Sequence, residues 1–447
     1  MTKITFMGAG STVFAKNIIG DCFLTDCLRD ATYALYDIDP ERLHESKLML
    51  ENLNANINDN RATITTHLGA KQRKAALKDA DFVINAIQVG GYEPSTVADF
   101  EIPKKYGLRQ TIGDTLGIGG IFRGLRTIHV LDGFANDIKA ACPNAWFLNY
   151  TNPMSIVTGY LQRICGIKAV GLCHSVQVCA SNLLKELDIY DKYWPVKWRI
   201  AGINHMAWLL EVEKDGKSLY PEIRKLAERK NRAARKPDGE KHNDMVRFEI
   251  LKHFGYYNTE SSEHTAEYHP YFIKANREDL IEEFNIPLDE YPRRCQNQIA
   301  AWYRQRNDIV HNAKLTHTRT HEYGSHIIEA MLTDVPIEIG GNVINNGLIS
   351  NLPPEACVEV PCLVNRNGVQ GCQVGALPPQ LAALNMTHIN VHFLTIEAAI
   401  HKSRSLAYQA AMLDPHTRSE LTLDKIREMC DDLFDAHIRD GILPEYK

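Results

Sequence analysis

The chain has 447 residues, 44% of them hydrophobic and 23% charged, and a net charge of -5 at neutral pH. That length allows two domains, or one large α/β body with an elaborated second half, and enough chain to bury a sizeable core. The acidic balance gives no electrostatic attraction to nucleic acid or to an anionic membrane, and no stretch reaches the roughly 18 uninterrupted apolar residues that cross a bilayer.

Met1 to Met7 form only a short apolar run before the glycine turn at Gly8, unlike a secretory signal. The 11 cysteines are odd in number and lack a framework spacing. Cys22, Cys27, Cys142, Cys165 and Cys430 read mostly as small core hydrophobes. A reduced, cytoplasmic setting is expected.

Lys3 to Met7 reads as a strand that runs into Gly8-Ala9-Gly10-Ser11, with a helix over roughly 17–24 and a second strand over 31–36 that Asp37 closes. Strand, glycine turn, helix and terminal acid, in that order, are the parts of a dinucleotide-binding unit. Gly8 and Gly10 let backbone approach a pyrophosphate, and the amides at the helix start, beside Ser11, face its oxygens. Asp37 suits the ribose diol and would repel a 2′-phosphate, so NAD is expected rather than NADP. Val13 stands where a third glycine would complete the fingerprint.

The alternation continues with a helix from Pro40 to about 55, a strand over 63–68, a short helix over 75–78 and a strand over 81–87 that carries Asn85 to the ligand edge. A glycine-dense loop over 111–120 precedes a long helix with Arg123 and Arg126. Asp114 in that loop is a candidate acceptor of a substrate hydroxyl, or else a solvated loop residue. The strand over 146–149 ends in Tyr150-Thr151-Asn152-Pro153, which places Asn152 at a ligand-facing tip. Strands alternating with helices over about 170 residues define a Rossmann-type doubly wound parallel sheet. The expected division is a nucleotide-binding domain over 1–172 and a mixed α+β domain for metal, substrate and catalysis over 173–447.

Two later segments each end a β-rich run in a metal-ligand type: Gly171-Leu172-Cys173-His174-Ser175 and Gly202-Ile203-Asn204-His205. Cys173 precedes a helical pattern over about 176–187, a position that favours a thiolate. Cys173 and His174 are neighbours in extended chain and point apart, so one can bind a metal while the other faces a leaving group. A basic, partly helical stretch over 223–242 lacks interleaved aromatics and reads as solvated surface. Thr259 to Phe272 is dense in proton-transferring groups, among them His264 and Tyr268. Arg293 and Arg294 offer hydrogen-bond forks for a substrate, or pair with an acid at the surface. Strands near 340–347 and 358–362 and helices over 377–384 and 395–412 complete the chain.

Gly8-Ala9-Gly10-Ser11, Thr151-Asn152-Pro153, Cys173-His174-Ser175-Val176 and Gly202-Ile203-Asn204-His205 together resemble the family 4 glycoside hydrolases, and the likeness runs through Ser261-Ser262-Glu263-His264 and Leu381-Ala382-Ala383-Leu384-Asn385. The resemblance is greatest to the bacterial branch acting on α-galactosides, in which His-Ser-Val follows the metal-site cysteine. It implies catalytic NAD and Mn²⁺, with Cys173 and His205 as metal ligands and Asn152 as a substrate contact. It implies Tyr268 as the base, with His264 the competitor. His174 stands where phospho-glucosidase members carry an aspartate proton donor.

The implied chemistry is oxidation at sugar C3, loss of the C2 proton, departure of the C1 group, addition of water and return of the hydride. The substrate would be a small glycoside of the melibiose type, and the assembly a homodimer or homotetramer. Sister activities on α-glucosides, α-glucuronides or α-galacturonides stay open. So do an ordinary NAD-dependent hydroxyacid dehydrogenase and a non-catalytic NAD sensor.

Overall fold

The computed structural model describes residues 1–447. Six parallel strands, β1 (Lys3–Met7), β2 (Thr32–Asp37), β3 (Thr63–Leu68), β4 (Phe82–Asn85), β5 (Trp146–Asn149) and β6 (Ala169–Gly171), line up as β3-β2-β1-β4-β5-β6. This is the strand order of a dinucleotide-binding sheet, whose ligand crevice opens at the carboxyl ends of the strands where the winding reverses. All four residues of β4 are buried, as a central strand covered on both faces requires.

The first helix spans Thr12–Phe23 and so begins five residues before the expected start. Ser11 makes no side-chain cap, and β-branched Thr12 and Val13 weaken the local helix signal, so nothing in the sequence marks the true start. The second helix, Pro40–Asn58, announces itself clearly. Asp39 accepts from the amides of Glu41 and Arg42 at 3.0 and 3.1 Å, and Pro40 takes the first turn.

The sheet does not stop at residue 172. Strand β6 continues into an antiparallel set made by β7 (Lys197–Ile203), β8 (Met206–Lys214), β9 (Lys217–Ser218), β10 (Tyr257–Asn258), β11 (Ile337–Ile344), β12 (Cys357–Asn365) and β13 (Gly368–Gly371). The full order is β10-β8-β7-β12-β11-β6-β5-β4-β1-β2-β3, with β13 on β12 and β9 on β8. The two joins on the route from β6 to β7 are narrow, Gly171 beside Asn342 and Glu359 beside Gly202. Buried side chains stitch both: Glu359 accepts from Asn342 Nδ2 at 2.9 Å and from Asn204 Nδ2 at 3.1 Å, and Asn342 Nδ2 also reaches Gly171 O at 3.3 Å. The two halves therefore share one sheet, and the ends of β6 and β7 are held side by side.

Two helices expected over 377–384 and 395–412 divide differently, as Pro379–His401 and Arg404–Leu413 with the break at left-handed Lys402. Asn385 and His388 look like a polar interruption in sequence. Both are buried inside the long helix and bonded outside it, Asn385 to Met206 O at 2.7 Å and His388 to Tyr268 O at 2.9 Å. Most of the cysteines are buried, but Cys27 is exposed, because it lies in the short turn Asp26–Leu28 whose only buried member is Leu28. No helix is long and apolar enough to cross a membrane.

Candidate active site

Gly8 takes φ +88°, a left-handed conformation, and a Cβ there would lie 2.8 Å from Ala86 O. At Gly10 a Cβ would lie 2.8 Å from Asp37 Oδ2, the oxygen that already accepts the Gly10 amide at 2.6 Å. Asp37 Oδ1 also accepts from the amides of Ile38 and Asp39, at 2.8 and 2.9 Å. The cradle is thus shaped so that only glycine fits and a carboxylate sits at its rim, which suits a dinucleotide. Val13 is half-exposed, so its side chain leaves the turn clear. Asn85 lies fully buried at the end of β4, its Nδ2 committed to Asn149 and Thr151 and its Oδ1 unpartnered.

Cys173 follows β6 and immediately precedes the helix His174–Glu186, with its Sγ 3.2 Å from Ser175 Oγ. His205 belongs to the two-residue turn between β7 and β8 and takes φ +61°. A non-glycine residue there carries roughly 1–2 kcal/mol of strain. The turn presents a buried imidazole in return. Cys173, His205 and Glu260 bring one ligand atom each within 4.8 Å of one another, and Asp114, His205 and His264 do the same.

Charge in this cluster is organised around a cation. Burial disfavours the charged form of His205, but Cys173, Glu260 and Asp114 outweigh it and lift the imidazole to about 10. Glu260 and Asp114 are both held below the usual carboxylate range in spite of burial, Glu260 by His205 and His264, Asp114 by His264 and Arg123. A soft thiolate, an imidazole and a hard carboxylate oxygen form a set that suits Mn²⁺ better than Cys–His alone.

The remaining side chains ring this cluster. Tyr268, at the end of the helix Ser262–Tyr268, is 1% exposed, and its hydroxyl is 3.2 Å from His205 Nδ1. Burial raises the phenol well above its ordinary value. His264, one turn earlier, stands edge-on to His205 with ring centroids 4.9 Å apart, and its Nε2 is 3.8 Å from Asp114 Oδ1. Burial lowers the His264 imidazole, against the pull of Glu260 and Asp114. Asn152 Nδ2 reaches Asp114 Oδ2 at 3.4 Å, while its buried Oδ1 has no partner and is free for a ligand. His174 is half-exposed and bonds through Nε2 to Glu322 Oε2 at 2.7 Å, which raises its pKa.

The structure therefore brings Asp114, Asn152, Cys173, His205, His264 and Tyr268 together, with His174 beside Cys173. Arg293 and Arg294 lie on the exposed face of the helix Glu290–Val310, and their forks are occupied: Arg293 Nη2 meets Glu290 at 2.6 Å, and Arg294 pairs with Glu290 and Glu263. The surface-pairing alternative describes both arginines as they stand. Sequence reasoning did not single out Glu260, although it lies in the flagged segment 259–272, nor Glu322, which is 148 residues from its partner.

A dinucleotide cradle at one edge of a sheet and a cysteine–histidine–carboxylate cluster on strands of the same sheet define a redox-type site with a place for a metal. The family models agree with that geometry: residues 3–189 match the family 4 glycosyl hydrolase model, and residues 200–417 match the family 4 glycosyl hydrolase C-terminal domain. The chain belongs to family 4 of the glycosyl hydrolases. It is 60% identical over 447 residues to an alpha-galactosidase of Bacillus subtilis (strain 168), covering 100% of both chains. The crystal structure of a candidate glucosidase from Bacillus subtilis superposes with a TM-score of 0.84 at 27% identity, covering 97% of this chain and 99% of that one. A 6-phospho-alpha-glucosidase from gut microorganisms, solved with NAD and Mn²⁺, shares the fold with a TM-score of 0.78 at 21% identity, covering 100% of each chain.

Proposed function

We propose that the chain hydrolyses terminal, non-phosphorylated α-galactosides, using NAD and Mn²⁺ as catalytic cofactors. The observation that carries this reading is the convergence of Cys173, His205 and Glu260 within 4.8 Å, with the Tyr268 hydroxyl 3.2 Å from His205. The sugar class rests on the full-length similarity to an alpha-galactosidase.

When bound, NAD supplies reversible hydride exchange at sugar C3, and Mn²⁺ supplies a Lewis acid that makes the C2 proton acidic. Gly8 and Gly10 would hold the pyrophosphate, and Asp37 the ribose. Cys173, His205 and Glu260 would hold the ion. Asn152, with its free buried oxygen, and Asp114 orient the sugar hydroxyls. Tyr268 would take the C2 proton as its phenolate, a form that burial opposes and a neighbouring cation would favour, and His264 orders the Asp114 side of the ring. His174, with Glu322 behind it, holds a proton at the half-exposed edge where the leaving oxygen would depart. Arg293 and Arg294 fit a surface role better than a place against the sugar. The division into a nucleotide-binding part over 1–172 and a catalytic part over 173–447, and assembly as a homodimer or homotetramer in the cytoplasm, complete the proposal.

A panel of nitrophenyl glycosides assayed with NAD⁺, Mn²⁺ and a thiol tests it. The α-galactoside should be cleaved with no net NADH. Stoichiometric NADH would favour a dehydrogenase, and faster cleavage of the α-glucoside, α-glucuronide or α-galacturonide would reassign the sugar.

A further inference from the structure

Glu267 lies between His264 and Tyr268 in the chain, and none of the steps above uses it. It is 3% exposed. Its Oε2 accepts the amides of Thr111 and Ile112 at 2.9 and 3.2 Å, and its Oε1 accepts the amide of Gly113 at 2.8 Å. Three consecutive amides of the glycine-dense loop thus converge on one buried carboxylate, the way such backbone usually receives a ligand anion. The residue that follows these amides is Asp114, and the residue that follows Glu267 is Tyr268.

Other ties hold the start of the pinned stretch and the loop beyond it. Thr111 Oγ1 donates to Glu263 O at 2.7 Å, and the Tyr291 amide donates to Thr111 O at 3.0 Å. Downstream, the Gly119 amide meets Gln110 Oε1 at 3.2 Å. Gly113 itself is left-handed at φ +55°, so it turns the chain sharply just before Asp114.

We propose that Glu267 is a positioning residue, whose grip on the amides of 111–113 sets the spacing between Asp114 on the loop and His264 and Tyr268 on the helix. This rests on the reading of Asp114 and Tyr268 given above. Burial pushes the Glu267 carboxyl up to about 7, against the pull of the Gly113 and Thr111 amides, so those donors are what favours its charged form. A glutamine there keeps one acceptor and turns an N–H₂ toward an amide that must also donate, so the loop loses part of its anchor.

The test compares the wild-type protein with Glu267→Gln, both with NAD⁺ and Mn²⁺. Amide hydrogen exchange at 111–113 should be slow in the wild type and at least about tenfold faster in the variant, with the central strands unchanged. The value of kcat/KM for the nitrophenyl α-galactoside should fall about ten- to hundredfold, the scale of an ångström-sized misplacement, while NAD affinity holds. Fast exchange at 111–113 in the wild type would overturn the proposal, a result that needs no variant to fold. So would a loosened loop with unchanged turnover. Asp114→Asn separates the two claims: normal turnover in that variant would defeat the reading of the site itself, and the exchange result would then stand only as a loop anchor.

Discussion

Acid should unfold this protein from behind its own active site. Four buried histidines lie among the elements that support Tyr268: His269, next in the chain; His388, which bonds to Tyr268 O at 2.9 Å; and His392 and His416. Burial holds His269 and His392 down to about 3 and His388 and His416 down to about 4. Each folded value lies below the unfolded value near 6.5, so the unfolded chain binds more protons as pH falls and stability is lost on that side.

Between pH 7.5 and 5 each imidazole removes about 2 kcal/mol, or about 8 kcal/mol for the four, by proton linkage. Glu267 acts with the opposite sign. Its carboxyl, raised to about 7, costs stability when ionised, and protonating it over the same interval returns about 2 kcal/mol. His205, held at about 10, has the same sign as Glu267 and returns about 1 kcal/mol over that interval, so the net loss from these six groups is about 5 kcal/mol, a large share of a typical folding free energy. Urea unfolding followed by far-ultraviolet circular dichroism at the two pH values measures it. His392→Gln should shrink the difference by about 2 kcal/mol. Stability that stays level or rises between pH 7.5 and 5 would refute the neutral, buried state of these imidazoles.

Two further outcomes concern the metal cluster. Cys173→Ser should lower α-galactosidase turnover by orders of magnitude and leave NAD⁺ binding within about twofold, because the cradle at Gly8 and Gly10 lies on different strands; steady-state assays and NAD⁺ titration by calorimetry check both halves. Glu260→Gln should weaken Mn²⁺ binding at least tenfold, the smaller end of the effect seen for groups that merely support a ligand. Electron paramagnetic resonance of free Mn²⁺ reads that affinity without reference to turnover, and an unchanged affinity would remove Glu260 from the ion's shell.

The parts legible in the sequence were those whose signal is local. Strands β1 and β5 fall where their apolar runs place them, β3 where its β-branched residues do, and Pro40 behind Asp39 marks a helix start in plain residues. Cys173 and His205 stood out because each closes a strand at a turn, and strand ends are where an α/β sheet gathers its ligands. What the sequence hid depends on long-range pairing. Glu322 meets His174 across 148 residues, and Glu267 meets the 111–113 loop across more than 150. No periodicity records such contacts.

The single shared sheet was hidden for the same reason, because its joins are one residue pair wide at Gly171–Asn342 and Glu359–Gly202. Arg293 and Arg294 are instructive in another way. Glu290 lies three and four positions before them, the spacing at which acids and bases pair on one helix face. That local rule predicted their surface pairing more directly than any substrate did.

In the proposed reaction, hydride transfer at C3 and proton loss at C2 occur on one sugar held beside the Cys173–His205–Glu260 cluster. Hydrolysis of an α-galactoside in D₂O, with the product read by NMR, tests it most directly. The galactose should carry deuterium at C2, and substrate deuterated at C2 or C3 should react more slowly. Galactose with only protium at C2, released from such substrates at an unaltered rate, would mean direct displacement at C1 and would contradict the account.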